Sequence, residues 1–212
     1  QPCVFVLILL RYGGARSVEF ASRASDVVAN GQCFMLSRAT YDAIGGHSAV
    51  RDFVAEDVMM AQTVWTSGRR VSLVRGLKQL STRMYDGLGE LVKGWGKNVY
   101  AGGRFAMRGG PIGRALFPLL LLSFPLGIVI PFLMLSVVAF ANLLLVSSPL
   151  SWSVATSVGV LVTFGAANRL NGDPLWRALL APLGGTILLY ICIVSIVRGR
   201  NVSWKGRGYQ AR

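Results

Sequence analysis

Two adjacent carboxylates, Glu56 and Asp57, open the short helical run Glu56-Asp57-Val58-Met59-Met60-Ala61-Gln62, in a chain with only nine Asp and Glu among 212 residues. A carboxylate so placed can take a proton from a bound hydroxyl within hydrogen-bond reach. It can equally cap the helix Val58–Thr66 and interact with its dipole. From this helix alone the capping role is the better supported. Other polar groups stand on either side. Asn30-Gly31-Gln32 reads locally as an ordinary Asn-Gly turn. Arg83 is a cation suited to phosphate. Gly94-Trp95-Gly96-Lys97-Asn98 offers a cation and an aromatic face, and reads equally as an interfacial tryptophan beside a solvated lysine. His47 is the only histidine; with no ligand set around it, it is not read as a metal ligand.

The elements that would hold these groups are short. Cys3–Leu10 is an apolar run of eight residues, a buried strand or part of a helix, and Arg11–Ala24 reads as a loop. Val27–Leu36 reads as a turn feeding a short strand, Cys33–Leu36. Ser37 caps a short helix that Gly45-Gly46 ends. A second helix, Asp57–Thr66, is closed by Gly68. Arg70–Val74 alternates weakly as a strand and Gln79–Tyr85 is another candidate. Gly87–Gly102 is helical and glycine-rich, with Leu88, Leu91, Val92, Trp95 and Val99 on an apolar side suited to a membrane interface.

Composition divides the chain in two. It is 53% hydrophobic and 15% charged, against about 25% charged in ordinary soluble domains. No charged residue occurs in the 54 positions Ala115–Asn168, or in the 20 positions Ala178–Val197. A membrane helix needs about 20 apolar residues, so we expect an integral membrane protein with about three spans, roughly 122–146, 152–168 and 177–197. The run Ala115–Val146 is too long for one upright span, and Pro118, Pro125 and Pro131 are expected to break it into an interfacial lead-in and a span. Asp173-Pro174 reads as the start of the third span. The net charge of +13 does not point to nucleic acid, because the basic residues of the second half flank apolar spans, as expected at an anionic leaflet. Three isolated cysteines support neither a disulfide framework nor a metal site. The basic, Gly-rich stretch Arg104–Arg114 marks the junction, giving domains of 1–107 and 108–212. With the soluble part cytosolic, three spans place the basic tail Arg198–Arg212 outside, against the positive-inside tendency; either the 32-residue run is a hairpin, or one segment is re-entrant, or the tail breaks the rule.

In their order, Asn30-Gly31-Gln32, Arg38 and Tyr41 before Ile44-Gly45-Gly46-His47, Glu56-Asp57, Arg83-Met84-Tyr85, Gly94-Trp95-Gly96-Lys97-Asn98 and the tail Val202-Ser203-Trp204-Lys205-Gly206-Arg207-Gly208-Tyr209 resemble the C-terminal half of a family 2 glycosyltransferase. The resemblance is nearest to membrane members that glycosylate lipids, of the ceramide, hopanoid and carotenoid glucosyltransferase-like kind. It implies an α/β GT-A (Rossmann-like) partial domain, followed by an α-helical transmembrane region. It also implies inverting transfer of a sugar from a nucleotide-sugar donor to a hydroxyl of a lipid-like acceptor, with the catalytic part on the cytoplasmic side of an inner or plasma membrane. Asp57 occupies the position of the family's catalytic base. Asn30, Gly31 and Gln32 match the turn beside the acceptor pocket, where amide and backbone groups reach sugar hydroxyls. Glu56 is a weaker partner that orients substrate or faces solvent. Arg83, Trp95, Lys97 and Asn98 fall where donor diphosphate or acceptor is contacted, although the family's Gln/Arg-x-x-Arg-Trp motif is missing.

A second departure lies upstream. The nucleotide-binding strand and the Asp-x-Asp that holds a divalent metal, Mg or Mn, on the donor diphosphate have no counterpart, and no Gly-rich phosphate loop appears. We therefore expect the chain to begin inside a larger enzyme, lacking the donor-binding half and inactive when isolated. The alternatives are a non-catalytic, membrane-anchored remnant and a polysaccharide synthase-like enzyme, the latter normally having more spans. A small transporter fits poorly, since the spans carry no ionisable residue at depth.

Overall fold

The structure is a computed structural model that describes residues 18–53, 55–74, 76, 79–105, 110–140, 147–199, 201–204 and 207–210. Its helices are α1 (Arg38–Ala43), α2 (Glu56–Thr66), α3 (Leu88–Phe105), α4 (Gly110–Phe140), α5 (Ser147–Leu170) and α6 (Ala181–Arg198). The strands β1 (Asn201–Trp204) and β2 (Arg207–Gln210) follow. Residues 119–190 form one compact unit; residues 18–118 and 191–210 lie in another.

The expected α/β GT-A (Rossmann-like) partial domain is not what the described residues form. Among the described residues the strands are β1 and β2, an antiparallel hairpin pairing Val202 with Tyr209 and Trp204 with Arg207. Cys33–Leu36, Arg70–Val74 and the described residues 79–85 carry no ladder; Cys3–Leu10 lies outside the described residues. The alternation that suggested strands is still physically present. Phe34 and Leu36 pack against the core while Met35 is 86% exposed. Val71 and Leu73 likewise pack inward and Val74 is 80% exposed. An extended segment becomes a strand only where a neighbour completes its hydrogen bonds; alternation reports which face is buried, and says nothing of that neighbour.

What replaces a sheet is α2. It buries Met60, Ala61 and Val64, so successive side chains enter two clusters. Met60 and Val64 join Ile44 and Val50, with Phe34, Leu36, Tyr41 and Phe53 packed around them. Ala61 joins Val18 and Val27, with Trp65 and Leu73 alongside. Met60 is 2% exposed, and burying a side chain of this size contributes about 1.5–3 kcal/mol. Before α2, Ser37 caps α1 by accepting the Thr40 N–H at 3.2 Å. Gly45 (φ +77°) and Gly46 (φ +57°) then turn the chain, a conformation most side chains resist. After α2, Gly68 (φ +78°) ends the helix.

Later in the same unit, α3 buries two of its glycines, Gly94 and Gly96, while Lys93 is exposed. The Tyr85 ring lies against Gly94, leaving no room for a Cβ, and burial pushes the Tyr85 phenol above its ordinary range. The Tyr100 N–H also donates to Ser195 Oγ at 2.9 Å, which ties α3 to the last turn of α6.

Three helical segments are long and apolar enough to cross a membrane: Gly110–Phe140, Pro149–Leu170 and Leu175–Arg198. The first runs unbroken through Pro118, Pro125 and Pro131, where a break was expected. Each proline forfeits one backbone hydrogen bond, whereas a break in hydrocarbon would leave several N–H and C=O groups unsatisfied at a few kcal/mol each. At 1.5 Å per residue, 31 residues give about 46 Å, more than the roughly 30 Å apolar core. The third segment opens as a 3-10 helix, Leu175–Leu180, with Pro174 before it. Asp173 pairs with Arg177 one turn on. In this unit the contact between α4 and α6 is made at Gly185, where a Cβ would lie 2.7 Å from Ile128 and 3.1 Å from Val129.

Candidate active-site cleft

The Gly31 turn, α1, the Gly45–Gly46 corner and the N-terminus of α2 surround an open cleft of about 440 Å³, lined by Gly31, Phe34, Leu36, Arg38, Tyr41, His47, Glu56, Asp57 and Met60. Each lining group is placed by an element already described. The α2 helix delivers Glu56, Asp57 and Met60 from its first two turns; the extended segment before α1 delivers Phe34 and Leu36; the glycine corner folds His47 back onto Tyr41.

Asp57 is the best-held polar group. Its Oδ2 accepts the Gly31 backbone N–H at 2.7 Å, and its Oδ1 accepts the Val58 N–H at 2.8 Å. The residue that precedes α2 is Ala55, which makes no side-chain cap, so Asp57 sits inside the first turn rather than at the cap. There its charge is favoured by the helix dipole. A carboxylate has about four acceptor positions, and two are used by backbone donors. Those that remain can receive a proton from a bound alcohol. Glu56, one residue earlier, is exposed and also lines the cleft.

The turn before it is built by Asn30, whose Oδ1 accepts the Gln32 N–H at 3.2 Å and whose backbone C=O accepts the Cys33 N–H at 3.2 Å. Asn30 Nδ2 lies 3.5 Å from Gln32 Oε1. The two amide side chains thus serve the turn, and the turn presents Gly31 to Asp57. A Cβ on Gly31 would approach Asp57 Oδ2 to 3.0 Å, so any larger residue here must push the carboxylate by a few tenths of an ångström.

The opposite wall is aromatic and basic. Tyr41 Oη lies 2.8 Å from His47 Nδ1 and accepts the His47 backbone N–H at 3.1 Å, with the rings tilted 50° at 5.5 Å. Arg38 Nε donates to both oxygens of Asp42, at 2.8 and 3.1 Å. This exposed pair adds little stability; it fixes where the guanidinium stands. Phe34, Leu36 and Met60 supply an apolar floor.

Of the residues given a site role from the sequence, the cleft brings together Gly31, Glu56 and Asp57, and Arg38, Tyr41 and His47 of the same ordered motifs also line it. Asn30 and Gln32 adjoin it through the turn. Arg83, Trp95 and Lys97 are not among its lining residues. Arg83 is exposed and pairs with Asp86 at 3.5 Å, while Trp95 and Lys97 are half-buried on α3. The side chain of Asn98 lies outside the described residues. The apolar floor is not among the sequence candidates; its signal is the alternation of Phe34 and Leu36, which by itself suggests a strand. Among the described residues no three His, Cys, Asp or Glu side chains converge to hold a metal ion.

Residues 8–93 match the family model for glycosyl transferase family 21. The matched span contains every residue lining the cleft, and it supports a glycosyltransferase. No curated protein and no solved structure matches the chain.

Proposed function

We propose that the protein is a membrane-bound, inverting glycosyltransferase that moves a sugar from a nucleotide-sugar donor to a hydroxyl of a lipid-like acceptor. The observation that carries this reading is the Asp57 carboxylate, aimed by the Gly31 and Val58 N–H groups at one side of the cleft, within the stretch that matches a glycosyltransferase family. Asp57 is the base. The acceptor O–H donates to it, the oxygen attacks the anomeric carbon, and the bond from that carbon to the donor diphosphate breaks as the new C–O bond forms. The proton passes to Asp57 and the diphosphate leaves with the bonding pair. Positioned proton transfer of this kind contributes about 10²–10⁴-fold.

The acceptor class follows from what adjoins the base. Phe34, Leu36 and Met60 give the cleft an apolar floor, and the same chain carries three segments able to cross a membrane, which concentrates an apolar alcohol where the chain resides. Glu56 orients the acceptor at the mouth. Arg83, Trp95, Lys97 and Asn98 are assigned to donor and acceptor contacts by their place in the sequence. Membranes containing the chain together with a donor-binding half, incubated with a panel of UDP- and GDP-sugars, are expected to yield lipid-extractable sugar of inverted anomeric configuration, and the isolated chain to yield none. Product of retained configuration would contradict this mechanism.

A further inference from the structure

Three full crossings in series would put the basic tail on the side opposite the cleft. The contacts of α4 and α6 point elsewhere. In the unit that holds the cleft, Tyr100 of α3 meets both helices. Its ring stacks on Phe117, near the start of α4, with centroids 5.8 Å apart. Its backbone N–H donates to Ser195 Oγ, near the end of α6, at 2.9 Å. Phe117 also packs on Gly103 of α3, a Cβ at Gly96 would stand 3.6 Å from the Arg198 guanidinium, and β1 lies against α3. Inside the other unit, Gly185 of α6 touches Ile128 and Val129 of α4. Going forward along α4 from Phe117 to Ile128, about 16 Å, thus matches going back along α6 from Ser195 to Gly185, about 15 Å at 1.5 Å per residue. The two helices run antiparallel in one register, so the start of α4 and the end of α6 lie together.

We infer that residues 110–198 cross the membrane twice, away on α4 and back on α6, so that the basic tail 198–212 meets the anionic lipid surface on the cleft's own side while α5 enters the far leaflet without crossing. Each of the two helices suffices alone. Phe117–Phe140 gives about 36 Å and Leu175–Ser195 at least about 30 Å, against an apolar core of roughly 30 Å. The α5 helix then begins and ends on the far face. It is the least apolar of the three segments and carries seven Ser and Thr residues. Its fully buried Asn168 has neither amide group partnered, a state that hydrocarbon penalises and water reaching in from the far face relieves. The charges sort in the same way. The three arginines of residues 104–114 and the five cations of residues 198–212 fall on one side. The far side has Arg169 and Arg177, the latter paired with Asp173. This is the asymmetry that an anionic cytoplasmic leaflet selects, and the tail no longer runs against it. Nothing here depends on the proton transfer assigned to Asp57.

Cysteine labelling in sealed membrane vesicles of known orientation tests the inference without turnover. Cys33 is exposed in the unit that holds the cleft and serves as the reference, with Cys3→Ser and Cys192→Ala removing the other thiols. Arg212→Cys, Ser147→Cys and Asn171→Cys, each with Cys33→Ser as well, are treated with a membrane-impermeant maleimide. Arg212→Cys is expected to label from the same face as Cys33, and both Ser147→Cys and Asn171→Cys from the opposite face. Labelling of Arg212→Cys from the face opposite to Cys33 would overturn the inference. So would labelling of Ser147→Cys and Asn171→Cys from two different faces, the mark of a crossing α5. A tail or turn that labels only after detergent is added counts against it as well. An epitope tag after Arg212 reads the tail in the chain with its native cysteines: protease added to vesicles in the orientation that exposes Cys33 is expected to remove the tag, and its survival there would contradict the two-crossing path.

Discussion

The Gly31 backbone N–H meets Asp57 Oδ2 at 2.7 Å across 26 positions of sequence, and this one bond joins a surface turn to the first turn of α2. It holds the carboxylate by its backbone partners, with no ion pair to it among the described residues, and so leaves the rest of the group to face the cleft.

Gly31→Ala tests that link. The new Cβ would stand 3.0 Å from Oδ2 and 3.3 Å from the Asp57 Cβ, so the carboxylate must give way by a few tenths of an ångström. Gly31 is not at positive φ, and no backbone strain is added. We expect a loss of about tenfold in kcat, as for removal of one well-aimed polar contact, with unfolding stability within about 0.5 kcal/mol of the parent, as for a surface substitution. Paired kinetics and denaturant melts separate the two effects.

Gly46→Ala should act on the fold as well. The side chain would be placed at φ +57° and 2.6 Å from the Tyr41 ring, combining backbone strain with overpacking. A destabilisation of about 2–4 kcal/mol is expected, measured by limited proteolysis of residues 18–118 in the detergent-solubilised protein. Wild-type resistance in this variant would mean that the corner is not held as described.

Gly185→Leu probes the membrane unit. Ile128 and Val129 already fill the space a Cβ would need, so α4 and α6 must separate and forfeit their packing, which is the main attraction between helices in lipid. The expected result is a clear drop in thermal stability in detergent, with Gly185→Ala intermediate.

The three apolar segments predict behaviour on extraction. The protein should stay in the membrane pellet after high salt and alkaline carbonate and be released by detergent, because burial of some 20 apolar residues per span is not reversed by removing charge interactions. Release by salt alone would indicate attachment through the basic residues instead.

How far these features could be read from sequence differs from element to element. Ser37 with Gly45-Gly46, and Gly68 after α2, mark helix ends by local chemistry, and the structure places the ends there. The apolar segments were legible because length and the lack of charge are local properties too. A sheet is not legible from alternation alone, since Phe34–Leu36 and Val71–Leu73 alternate for burial without a ladder partner among the described residues. The prolines of α4 were misread as breaks because the rule that Pro ends helices presumes water to receive the freed carbonyls. Within the cleft, Gly31, Glu56 and Asp57 could be named from their types and order. The Gly31–Asp57 bond, the inward turn of Met60 and the Tyr41–His47 pairing are products of folding, and nothing in the spacing displays them.

The account turns on Asp57 as the base, and the direct measurement is sugar transfer by Asp57→Asn against wild type in the protein that includes a donor-binding half, in membranes holding equal amounts of it. Asn keeps the shape and one oxygen to accept the Gly31 N–H, but cannot take the proton. We predict a fall in kcat of at least about 10², with the donor KM little changed and the protein as resistant to proteolysis as wild type. Transfer within a few-fold of wild type would remove Asp57 from the chemistry and leave it as a residue that steadies the start of α2.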